Sequence, residues 1–93
     1  MLEDLLKKAV EMGADRIEIE CKDKARLVSA FCGPTGVGIA WLDAAQWDAV
    51  YGQMREMKRR RRIVLDGASY RLAFSQYQSF GEWVFVIQIK EAK

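Results

Sequence analysis

The sequence predicts an α+β domain in which two helices pack on a mixed or antiparallel sheet of about five strands, in the order αββαβββ. Three observations support this. Two segments repeat apolar residues at helical spacing; several short segments alternate or are rich in branched and aromatic residues; and glycine-bearing turn signals separate them. No linker, repeat or low-complexity tract interrupts the order, so residues 1–93 are expected to form a single domain.

Leu2, Leu5, Leu6, Ala9 and Val10 fall on one helical stripe, with Glu3, Asp4, Lys7 and Lys8 opposite and Gly13 placed to end the helix. The acids sit in its first turn and the lysines further along, in agreement with the helix dipole. Arg16-Ile17-Glu18-Ile19-Glu20-Cys21 then alternates strictly, which predicts a half-buried strand with Ile17, Ile19 and Cys21 inward. Lys22-Asp23-Lys24 makes a charged turn, and residues 25–32 return as the second strand.

Gly33-Pro34-Thr35-Gly36-Val37-Gly38 punctuates the chain, and Ile39-Ala40-Trp41 adds a short extended piece before the next helix. Asp43 is a good N-cap, with Gln46 where a capping box needs it. Trp47, Val50, Tyr51, Met54 and Met57 repeat at helical spacing, and the helix runs out in Lys58-Arg59-Arg60-Arg61-Arg62. Strands are expected over 62–65, 69–77 and 82–90, joined by a turn at Asp66-Gly67 and another around Ser79-Phe80-Gly81. Trp83, Phe85, Ile87 and Ile89 share one face of the last strand. Val84 and Val86 make its other face apolar too, which places it centrally in the sheet.

The charges nearly balance at +2, as in a globular domain rather than a disordered tail. The apolar run Trp83-Val84-Phe85-Val86-Ile87 is far shorter than the roughly 18–20 residues that cross a bilayer, so no membrane span is expected. Glu3 and Asp4 follow Met1 at once, unlike the basic start of a signal peptide, and a cytoplasmic protein is expected. Cys21 and Cys32 are expected at opposite ends of a hairpin with Cys21 facing Ala25, ~23 Å apart at strand rise, too far for a disulfide. Reduced, buried thiols are the expectation, and with no histidine two cysteines make no ordinary zinc site.

The order of elements and several phrases resemble the domain that precedes the motor in type II secretion and type IV pilus assembly ATPases. In that family a helix ends in a stretch like G-A-S-D-I-H-I-E-P; here the chain has Gly13-Ala14-Asp15-Arg16-Ile17-Glu18-Ile19-Glu20-Cys21. The family's later D-G turn and the G-E pair opening a last apolar strand correspond to Asp66-Gly67 and Gly81-Glu82, the latter followed by Trp83-Val84-Phe85-Val86-Ile87. The resemblance implies a docking module whose protein partner belongs to secretion or pilus machinery. It also marks a departure. Where the family carries two arginines and an aspartate, associated with a nucleotide held by the adjoining motor, this chain has Val28, Ala30 and Cys32.

The candidate sites are few. The glycine-rich stretch 33–38 lacks the lysine and hydroxyl of a phosphate loop and is better explained as a turn. Glu18 and Glu20 share a strand face ~7 Å apart, but no other reactive group converges on them, which favours a solvated face. Neither cysteine has the activating neighbours of a nucleophile, and no enzyme activity or cofactor is expected. Trp41, beside the glycine stretch, is the candidate exposed anchor for a protein partner. Lys58, Arg59, Arg60, Arg61 and Arg62 are the candidate anion-binding residues, and they support the alternative of a small nucleic-acid or polyanion-binding protein. The same five charges also complement the helix dipole and solubilise a strand edge.

Overall fold

The computed structural model describes residues 1–22, 24–60 and 62–92, with the backbone alone over 58–60. Its elements are α1 (Leu2–Glu11), β1 (Arg16–Lys22), β2 (Ala25–Cys32), β3 (Thr35–Leu42), α2 (Ala44–Arg60), β4 (Arg62–Leu65), β5 (Ala68–Ser79) and β6 (Glu82–Glu91). The fold is α+β, with two helices and one six-stranded sheet in the order β3-β2-β1-β6-β5-β4, antiparallel at every pairing.

Two of the sequence expectations need correction. The sheet has six strands rather than five, because residues 35–42 pair along β2 from Cys32↔Thr35 to Arg26↔Leu42. Glycines at 36 and 38 lower intrinsic strand preference, yet a two-residue loop at Gly33-Pro34 delivers the chain straight back onto β2, and ladder hydrogen bonds decide the outcome. The β1–β2 register is also one residue away from that expected, with Cys21 opposite Arg26 rather than Ala25. With the sixth strand counted, the chain is two αβββ units in tandem, joined in the sheet by β1 and β6.

Local rules account for the helix boundaries. At the end of α1, Ala14 N–H donates to the Ala9 carbonyl at 2.9 Å and Gly13 N–H to that of Val10 at 3.0 Å. This is a Schellman cap, and the φ of +76° at Gly13 is the left-handed conformation it requires. At the start of α2, Gln46 N–H donates to Asp43 Oδ1 at 2.8 Å and Asp43 N–H to Gln46 Oε1 at 2.9 Å, a complete capping box. The free amide of Leu2 is met by Gln53 Oε1 at 2.7 Å, which ties the first turn of α1 to α2.

Both helices lie on one face of the sheet. Leu2, Leu6 and Ala9 of α1 and Val50 and Met54 of α2 close over Ile17, Ile19, Val28, Ala30, Leu72 and Ile87, all nearly or fully buried. No polar or charged side chain is buried among the described residues, so this core is held by apolar contact alone. Among the described residues the other face of the sheet carries no helix. β6 lies between β1 and β5, in the interior of the sheet, as its two apolar faces predict.

Candidate interaction surface

Strict alternation along β3 would send Val37, Ile39 and Trp41 to the same side. A bulge prevents it: Ser29 pairs with Gly38 but Val28 with Ala40, so Ile39 is an extra residue and the side-chain parity inverts there. Val37, opposite Ala30, remains on the helix side, whereas Trp41, opposite Leu27, is sent to the open face, where it is 57% exposed. Lys8 of α1 reaches the bulge and donates to the Ile39 carbonyl at 3.4 Å.

β3 is a free edge of the sheet, eight residues long and without a charged side chain. Long uncharged edges invite pairing by another strand, and proteins usually blunt them with charge, proline or brevity. The opposite edge begins with β4, four residues long and opening on Arg62, and continues along residues 72–79 of β5, which β4 does not reach. The Thr35–Cys32 pair closes a two-residue hairpin and so exchanges both hydrogen bonds, and alternation leaves the backbone groups of Gly36 and Gly38 directed away from β2. An approaching strand meets hydrogen at these two Cα positions, with Trp41 further along on the open face.

The rest of that face is covered by its own polar side chains. Tyr77 on β5 donates its hydroxyl to Glu18 Oε1 on β1 at 2.8 Å, spanning the intervening β6. The bridge passes over Val84 and Val86, opposite Glu20 and Glu18, which explains why both are buried with no helix above them. Arg16 Nε donates to Glu18 Oε2 at 2.9 Å, so the carboxylate pair suggested by the alternation of β1 has its nearer member already engaged from two sides. The hydrogen bond to Glu18, then burial, raises the Tyr77 phenol above its ordinary pKa. Arg16 also lies over the Phe31 ring at 4.3 Å and donates to the Gly33 carbonyl at 3.0 Å, while Asp15 Oδ2 accepts the Gly33 N–H at 3.0 Å. Gly33-Pro34 is therefore a hairpin turn pinned by Asp15 and Arg16, and the rest of the glycine stretch belongs to β3.

Neither thiol meets the expectation of burial. Cys21 is half-buried and Cys32 exposed beside the turn, where its Sγ donates to the Met12 carbonyl at 3.6 Å; both are free of disulfides. The positions that depart from the secretion-ATPase pattern divide similarly, Val28 and Ala30 lying in the core and Cys32 at the surface. Of the basic run, Arg61 and the side chains of Lys58, Arg59 and Arg60 lie outside the described residues. Arg62 is exposed on the open face opposite Arg71, which is itself opposite Lys90. Three cations thus stand in a row across β4, β5 and β6; Arg71 is expected near the basic run from the sequence, and register adds Lys90. No group of residues able to hold a metal occurs among the described residues, and no helix among them is long and apolar enough to cross a membrane. No protein-family model matches the chain, and no characterised protein aligns with it significantly.

Proposed function

We propose that this domain is a non-catalytic docking module that accepts an extended segment of a protein partner along β3, with the Trp41 ring covered by the incoming chain. The observation that carries the proposal is the uncharged edge together with the bulge that turns Trp41 outward. Strand addition takes affinity from main-chain hydrogen bonds and specificity from side-chain positions on either side of the edge, and β3 offers both. The resemblance to the pre-motor domain of secretion and pilus assembly ATPases supports a partner from such machinery. Core alanine and valine at the family's arginine positions support a role without nucleotide. The test is site-specific photocrosslinking in the source cell from a benzoylphenylalanine at position 41, with position 3 on exposed α1 as the control. One partner captured at 41 and lost with Val37→Lys supports the reading. Equal capture at both positions, or none at 41, refutes it.

A second reading is favoured by the row Arg62, Arg71 and Lys90. Like charges placed directly opposite each other in a sheet are unfavourable unless an anion joins them, and the basic run 58–62 leads into the row. A domain using these charges would bind polyanions without sequence preference, and three phosphate contacts imply a log–log salt slope of roughly −2.7 on duplex DNA. Loss of that binding in Arg62→Gln/Arg71→Gln, with crosslinking at 41 unchanged, would separate the two readings.

A further inference from the structure

On the helix side of the sheet, two adjoining hollows of about 360 and 310 Å³ open beside the first turns of α2. Arg26 and Trp47 line both and form the wall between them. The second hollow is aromatic: Trp47, Tyr51 and Phe85 stand with ring centroids 4.9 to 5.7 Å apart, and Trp83 at the start of β6 completes its rim. Arg26 is brought there by register, opposite Cys21 on the face that carries the helices.

The guanidinium of Arg26 is the anomaly. Its carbon lies 5.3 Å from the centre of the Trp47 ring, and its Nε is buried with no hydrogen-bond partner. Among the described residues no carboxylate forms an ion pair with it. Asp43, which lines the first hollow, commits Oδ1 to the α2 cap. A buried N–H without an acceptor is costly, and structures retain few of them without a reason. The planar guanidinium fork of N–H groups suits a carboxylate.

We propose that Arg26 anchors a binding site for a carboxylate joined to an aromatic ring by a short aliphatic chain. The carboxylate accepts from the guanidinium, and the ring enters the hollow formed by Trp47, Tyr51, Trp83 and Phe85, whose volume is near the lower end of ligand pockets, roughly 300 Å³. Around the two hollows Lys24 and Arg26 stand among Asp43, Asp48 and Glu82, so a single negative charge held at Arg26 is accommodated, whereas a second is repelled. The site does not depend on strand addition at β3 and would survive the failure of that reading.

The test is titration of the whole ¹⁵N-labelled chain with 3-phenylpropionate, following the Arg26 Nε–H and the Trp47 indole N–H. Saturable shifts of both with a Kd on the order of 1 mM or tighter are expected. The uncharged amide should bind about tenfold or more weakly, since a charge-assisted hydrogen bond is lost. Arg26→Gln should abolish binding of the acid; if that variant does not fold, the acid–amide comparison in the unaltered chain decides alone. A parallel titration with N-acetyl-glycyl-phenylalanine distinguishes the source. Tighter binding than the free acid assigns the carboxylate to a peptide C-terminus, and weaker binding assigns it to a small aromatic acid. Equal affinity for acid and amide overturns the proposal. So does an Arg26 Nε–H that ignores the acid but shifts with Asp48→Asn, because the guanidinium would then be satisfied within the chain.

Discussion

The two faces of the sheet are held in opposite ways. Under the helices the core side chains are apolar and deeply buried: Ile17, Ile19, Val28 and Ile87 are 0% exposed. On the open face, Val84 and Val86 are covered by a hydroxyl–carboxylate bridge thrown across one strand, with Arg16 stacked on Phe31 at one side and Trp41 left in solvent at the edge. Stability therefore resides mainly on the covered face. The open face can change its polar cover, or accept another chain, at little cost to the fold.

The largest expected effect tests the covered face. Ile17→Ala removes a fully buried side chain on β1, against which α1 packs, and should cost about 3–4 kcal/mol in urea denaturation, cavity included. A cost below ~1 kcal/mol would show that the core is not the main source of stability.

The next tests the bridge. Tyr77→Phe keeps the ring over Val84 but deletes the hydrogen bond to Glu18, and should cost about 1 kcal/mol. Its pH dependence has a fixed sign. Because the phenol's folded pKa lies above its ordinary 10.0, the folded chain holds the proton more tightly than the unfolded one. The bridge's contribution is full below pH 10.0 and is lost as pH rises through the raised folded value. The gap in denaturation midpoint between the native chain and Tyr77→Phe should close over that window and be constant below it.

A smaller effect concerns the two hairpin turns in the second αβββ unit. Asp66-Gly67 has φ of 49° and 82°, and Phe80-Gly81 has 51° and 79°, the same doubly left-handed turn. Aspartate tolerates the first position; phenylalanine does so poorly, and Phe80 is 105% exposed, so burial returns nothing for the strain. Phe80→Asn should therefore stabilise by roughly 0.5 kcal/mol, read as a raised Tm. No change would mean the left-handed turn imposes no strain on Phe80.

How much of this was legible in the sequence depended on the range of the cause. The Schellman end at Gly13, the capping box of Asp43 and Gln46 and the turn at Asp66-Gly67 are set by residues within a few positions of one another, and the pattern declares them. β3 was missed because Gly36 and Gly38 weaken it locally, while its pairing with β2 holds it in place. Missing β3 also hid the tandem αβββ organisation. The position of Trp41 beside the glycines marks it in the sequence, but its outward direction follows from a bulge that only cross-strand register defines. Nothing in the local pattern marks Arg26. Its isolation arises where the ends of β1 and β2, the start of β6 and α2 meet, and no sequence spacing records that meeting. The burial expected of Cys21 was overestimated for the related reason that alternation gives a face, whereas the depth comes from what covers it, and the helices cover the middle of β1 more completely than its end.

The smallest effect on stability is the sharpest test of the contrast between faces. Trp41→Thr keeps a β-branched residue on the edge strand, removes a ring that is more than half exposed, and should cost the fold roughly 0.5 kcal/mol or less. If β3 is where a partner strand lies, the same change removes the side chain the partner covers, and aromatic anchors at such centres typically carry about 2 kcal/mol or more of binding, near a thirtyfold loss of affinity. Val37→Lys on the helix side of the same strand should weaken binding too, by placing a charge along the incoming chain, while leaving denaturation almost unchanged. Measured together, the two variants separate fold from function on one strand: stability flat and partner affinity falling in both. Should Trp41→Thr instead cost as much stability as Ile17→Ala, the open face would be a second core, and an edge needed to hold the domain together could not also be the edge it offers to another protein.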